Sequence, residues 1–151
     1  DVYLVLIGEG ETRLAITDRV REAGLADRVV LCGYRSDAAE LIAAFDVLVV
    51  PSIGFEGQGY VILEAMAHSV PVIASRVGGF AETVDDGVTG LLVPPADTNA
   101  IASALDRLLL DEQARRSMGR AGRTRYEARF TLPRMIDETV ALYSELLSTR
   151  N

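Results

Sequence analysis

One cysteine, Cys32, stands among 151 residues, so no internal disulfide can form. It closes the apolar run VVLC, where a small hydrophobe fits, and a structural role is expected. A single histidine, no cysteine pair and no D-x-D arrangement leave no metal-ligand constellation, since Asp85 and Asp86 fall in a turn pattern. No apolar run reaches the roughly eighteen residues of a membrane span. The opening DVYLVLIGEG has no basic stretch ahead of its apolar residues, so a signal peptide is not supported either. A cytoplasmic setting is expected, with room for a peripheral membrane contact in a longer protein. Internal repeats, low-complexity tracts and linkers are also missing. What is present, 49% hydrophobic and 25% charged residues, suits one soluble domain over residues 1–151. The formal charge of -7 argues against nucleic acid as a partner.

Short, nearly continuous apolar runs recur: VYLVLI (2–7), VVL (29–31), DVLVV (46–50) and PVIAS (71–75). Such runs suit strands covered on both faces. Helical patterns lie between them; Thr12 to Ala23 stops at Gly24, and Asp37 with Glu40 resembles a capping box. The alternation predicts an α/β fold, a Rossmann-like, mostly parallel sheet with helices on both faces, whose ligands bind beyond the strands' carboxyl ends. DDGVTG then leads into LLVPP, a turn and short edge strand. The remainder is helical: Asp97 caps one helix, a second, Arg-rich one runs from Glu112 to about Arg129, and Thr131 caps a third. Leu132, Met135, Ile136, Val140, Tyr143, Leu146 and Leu147 give that third helix an apolar stripe, expected to pack within this domain and toward a partner. The chain begins inside its first strand pattern, which predicts a domain excised from a longer protein.

The informative stretch is PSIGFEGQGYVILEAMAHSVPVIASRVGG, from Pro51 to Gly79. Glu64 is the one ionisable group, apart from a tyrosine hydroxyl, in the apolar helix YVILEAMA. A carboxylate there is costly unless hydroxyl or N–H donors satisfy it, and accepting from two adjacent hydroxyls is how proteins commonly hold ribose. Gly57 and Gly59 clear space for a ligand, and the helix start at Gly59–Val61 offers unpaired N–H groups for a diphosphate. Glu56 projects from the loop toward whatever lies beyond the phosphates. On residues alone, Glu56 as a solvated loop charge and Glu64 as the partner of a structural donor remain open.

Glu56, seven intervening residues, Glu64 and then Ala65-Met66-Ala67 resemble the E-x7-E signature of the retaining glycosyltransferases of family four, which have the GT-B architecture. GEG (8–10), CGY (32–34), VPS (50–52), PVIASRVGG (71–79) and DGVTGLLVPP (86–95) extend the resemblance in order along the chain. The resemblance implies a C-terminal donor-binding domain in which Glu64 binds the nucleotide ribose and Glu56 contacts the donor sugar. The amides of Gln58, Gly59, Tyr60 and Val61 would receive the diphosphate, and Tyr34 and Arg35 would border the base. It further implies a nucleoside diphosphate sugar, UDP- or GDP-linked, as donor, no cofactor and no metal. Gln58 departs from the aromatic common before that glycine. An Arg and a Lys contacting the diphosphate, and an N-terminal domain binding a sugar, lipid-linked or small-molecule acceptor, would lie outside this chain, so the isolated fragment is expected to be inactive. Growing phosphate charge must be stabilised as an oxocarbenium-like sugar departs, and those cations would supply that.

Other candidates have plainer readings. His68 suits a helix C-terminus. Arg76 could reach phosphate and Gly78-Gly79 could open a second helix near the site, or all three serve a turn. The arginines from Arg115 to Arg129, diluted by acidic neighbours, suit a solvated helix face. A dinucleotide-dependent dehydrogenase fails because Arg13 takes the third glycine's place and Glu9 and Glu11 would repel a pyrophosphate. A sugar-nucleotide epimerase, a phosphorylase and a non-catalytic nucleotide-sugar-binding or interaction module stay as alternatives to a transferase.

Overall fold

In the computed structural model, which describes residues 1–149, every strand ladder is parallel. Residues 150 and 151, which the single-domain expectation also spans, lie outside the described residues. The chain divides into two units, Asp1–Glu40 and Leu41–Asn151, and the expected sheet takes the form of two ladders, one in each.

In the first unit β1 (Leu4–Ile7) and β2 (Val29–Gly33) pair across helix α1 (Arg13–Glu22), since parallel neighbours need a crossover. Helix α1 stops as its sequence suggests: Gly24 takes φ +66°, the left-handed conformation that ends helices at little cost to glycine. The expected capping box does not form. Asp37 instead accepts two bonds from Arg35, at 2.7 and 2.5 Å, because a guanidinium fork outcompetes a single backbone N–H for a carboxylate. The following helix α2 (Ala38–Leu41) is one turn long.

In the second unit β3 (Leu48–Val50), β4 (Val72–Ser75) and β5 (Gly90–Val93) stand in that order. Central β4 is buried throughout, and its side chains alternate between two cores. Val72 and Ala74 join Ile62, Met66 and Phe80 from α3 (Tyr60–Ala67) and α4 (Phe80–Thr83). Ile73 joins Leu108 and Ala104 from α5 (Thr98–Leu110) on the opposite side. Asp97 caps α5, its carboxylate accepting from the Ala100 amide at 2.9 Å.

Helix α6 (Glu112–Arg129) has the predicted span, with Asp111 as its cap. Gly119 and Gly122 are buried in its middle, where glycine costs about 1 kcal/mol against alanine. Close packing explains them: a Cβ on Gly119 would strike the Ser69 carbonyl, and one on Gly122 would touch Met66. The arginines of α6 are more than a solvated face. Arg115 donates to the Leu108 and Leu109 carbonyls at the end of α5, Arg123 to Ala67 at the end of α3, and Arg125 to Glu82 and Thr83 at the end of α4. Three helix C-termini thus meet cations from one helix, the favourable sense for their dipoles.

Helix α7 (Leu132–Ser148) corrects two expectations. Thr131 precedes it without a side-chain cap bond, and no α7 residue is buried. Ile136, Val140, Tyr143, Leu146 and Leu147 are exposed, so the stripe finds no core among the described residues of this domain. No described helix is long and apolar enough to cross a membrane.

Candidate functional site

The carboxyl end of β3 delivers the loop 51–59, and α3 starts directly after it. The loop rests on the turn that follows β4. Gly79 donates its amide to the Glu56 carbonyl at 3.1 Å; a Cβ on Gly78 would strike that same carbonyl, and one on Gly79 the carbonyl of Gly57. Gly59, at φ +69°, lies so close to Phe80 that a Cβ would enter its ring. Gly57 has nothing within 4 Å of its Cβ position, so it borders open space. Gly78 and Gly79 therefore act here as clearance for the site loop, and helix α4 behind them is one turn long.

Two features make the loop and α3 suited to an anion with hydroxyls attached. Gln58, Gly59, Tyr60 and Val61 donate no backbone hydrogen bond among the described residues, and Gly59 caps α3 without a side-chain bond. A run of free N–H groups at a helix start concentrates partial positive charge. One turn on, Glu64 is half-buried while its neighbours Ile62, Leu63, Ala65 and Met66 are buried. Among the described residues no side chain or amide bonds its carboxylate. A cavity of about 360 Å³ opens beside it, lined by Gln58, Tyr60, Glu64, His68, Phe130 and Met135 among others.

Glu56 is also half-buried and accepts from the Ser52 hydroxyl at 2.7 Å; it is not among the residues lining the Glu64 cavity. Arg76 forms an ion pair with Asp86 at 2.5 Å, and Asp86 also accepts from the Leu92 amide at 2.9 Å, which ties Arg76 to the turn before β5. His68 ends α3, its amide bonded to the Glu64 and Ala65 carbonyls. Tyr34 and Arg35 lie in the first unit past β2, Tyr34 79% exposed. The Arg35 guanidinium holds the Asp37 carboxyl below its ordinary range by hydrogen bonding to it, and is itself raised by the same bond. Among the described residues no group of three metal-ligating side chains is assembled.

Sequence reasoning passed over Ser52 and Thr83. Ser52 stands four residues before Glu56, a spacing that offered a signal. Thr83 donates its hydroxyl to the Gln58 carbonyl at 3.2 Å from 25 positions away, which no local pattern announces.

Comparison with known proteins accords with this architecture. HepE of Anabaena, solved with UDP, superposes with a TM-score of 0.87 at 29% identity, covering 98% of this chain and 41% of that one. The C-terminal domain of a glycosyl transferase group 1 family protein from Francisella tularensis matches with a TM-score of 0.73 at 30% identity, over 81% of this chain and 64% of that one. In sequence, N-acetyl-alpha-D-glucosaminyl L-malate synthase of Bacillus anthracis is 35% identical over 97% of this chain and 38% of its own length. The chain thus spans about two fifths of such relatives. Its α/β fold is that of the C-terminal half of a GT-B glycosyltransferase. A family model, glycosyl transferases group 1, matches residues 1–111, and the chain belongs to that family.

Proposed function

We propose that this chain is the donor-binding half of a retaining, family-four glycosyltransferase that moves a sugar from a nucleoside diphosphate to an acceptor hydroxyl. The observation that carries the reading is the half-buried Glu64 carboxylate, without a partner among the described residues, one turn from amides that donate no bond there, those of Gln58 to Val61. Those amides take the diphosphate and Glu64 accepts from the ribose hydroxyls. Glu56, oriented by Ser52, contacts the transferred sugar. HepE, solved with UDP and with UDP-glucose, supports a uridine donor over a guanosine one. Charge on the departing diphosphate is met by backbone dipoles here and by cations contributed outside this chain, with no metal. The acceptor binds elsewhere in the whole protein, in the cytoplasm, where lipid-linked acceptors would bring it to the membrane surface. This chain alone binds donor and transfers nothing.

Calorimetric titration with UDP, GDP and ADP, with and without EDTA, tests this. Binding of UDP that survives EDTA and weakens by roughly ten- to a hundredfold in Glu64→Ala is expected, the range for a hydrogen bond to a charged group. Affinity untouched by that substitution overturns the ribose assignment.

A further inference from the structure

The site loop is held from behind by a residue that touches no substrate in the reading above. Thr83 is the last residue of α4 and is 1% exposed. Its hydroxyl lies 3.2 Å from the Gln58 carbonyl and 3.0 Å from the Gly79 carbonyl, so one buried donor, its single hydrogen shared between them, bridges the site loop and the turn after β4. Gly79 already bonds the Glu56 carbonyl. Thr83 is itself fixed by Arg125 of α6, whose Nε donates to the Thr83 carbonyl at 2.9 Å and whose second nitrogen donates to the Glu82 carbonyl at 2.8 Å. Arg125 is steadied in turn by the Phe130 ring, 5.8 Å away.

We propose that Thr83, anchored by Arg125, is a positioning residue that orients the Gln58 peptide and with it the run of free amides through Val61. The carbonyl of Gln58 and the amide of Gly59 belong to one planar peptide. Fixing the carbonyl inward toward Thr83 therefore sends the Gly59 N–H the opposite way, to the open side of the loop. Without the hydroxyl that peptide is free to rotate, and the amides must be ordered as the anion binds, a cost that preorientation removes. Valine at position 83 would fill the same volume and leave the core intact while removing the bond. Serine would keep the bond. This inference rests on the donor-site reading, in which those amides face a diphosphate.

The test uses this chain as wild type, Thr83→Val and Thr83→Ser, with amide hydrogen exchange and UDP titration on each. In Thr83→Val, exchange at the hydrogen-bonded amides that tie the loop down, Gly79 to Glu56 and Ile62 to Gly59, should quicken by roughly three- to tenfold, the scale of one hydrogen bond, with β4 amides unchanged. UDP affinity should fall by a similar factor, and Thr83→Ser should restore both. Loop exchange that stays at the wild-type rate, exchange that rises equally in β4, or a serine variant that behaves like valine overturns the proposal. So does loosened exchange with unchanged UDP affinity. Should the wild type bind no nucleotide, the donor-site reading falls, while the exchange comparison still decides whether Thr83 holds the loop. If Thr83→Val does not fold, Arg125→Gln replaces it, with the same loop-confined loosening expected and a uniform loosening overturning it.

Discussion

Helices α3 and α7 both carry apolar residues at helical spacing, yet Ile62, Ala65 and Met66 of α3 are wholly buried whereas no residue of α7 is. The difference lies in what stands opposite. Helix α3 has β4 on one side and the glycines of α6 on another, while α7 has its exposed leucines and no described surface to meet them. Periodicity therefore tells which face of a helix wants a partner; it does not tell whether the partner belongs to the same chain. Glu64 sharpens the point, because it stays half-buried between buried neighbours and lines an open cavity.

The comparison breaks most easily at its core. Met66→Ala should cost about 2–5 kcal/mol in urea unfolding, and Leu146→Ala less than about 0.5 kcal/mol; equal losses would mean that α7 is packed in solution. A smaller effect of opposite sign is expected at Glu64. Replacing a half-buried carboxylate that has no partner among the described residues with leucine should raise unfolding stability by up to about 1–2 kcal/mol while UDP binding is lost. A drop in stability would point to an unseen structural donor. At the helix starts, Asp97→Ala should cost about 1 kcal/mol, but Thr131→Ala almost nothing, since Asp97 makes its cap bond and Thr131 makes none.

The smallest effect belongs to the exposed pair Arg35 and Asp37. Asp37 has a folded pKa held below its ordinary value by the Arg35 hydrogen bond. Its contribution is present above the unfolded carboxylate range, near 4, and fades as pH falls through the lower folded value. Urea midpoints of wild type and Asp37→Asn should therefore differ slightly at pH 7 and converge in strong acid; a gap that widens toward acid contradicts the pairing.

Much of this fold was legible locally. Apolar runs marked the strands, Gly24 and Asp97 marked helix ends, and α6 fell on its predicted residues. In the candidate site, Glu64 stood out because a charge in an apolar helix demands an explanation, and the loop glycines because a helix start follows them. What stayed hidden depends on contacts distant in sequence or on competition between partners. Gly78 and Gly79 do precede a second helix start, at α4, but no local pattern announced that Glu56 and Gly57 lie against them. Asp37 read as a cap until Arg35 took its carboxylate. Gly119 and Gly122 look like flaws in a helix unless Ser69 and Met66 are known to be opposite.

The chain has no lysine: all 15 of its lysine-or-arginine positions are arginine, including the three that α6 sends to the ends of α3, α4 and α5. Guanidinium keeps its proton beyond pH 12, where a lysine ammonium would already be neutral. These ties should therefore persist in alkali, and cleaning or crystallising this protein at high pH should leave the packing of α6 against α3, α4 and α5 standing.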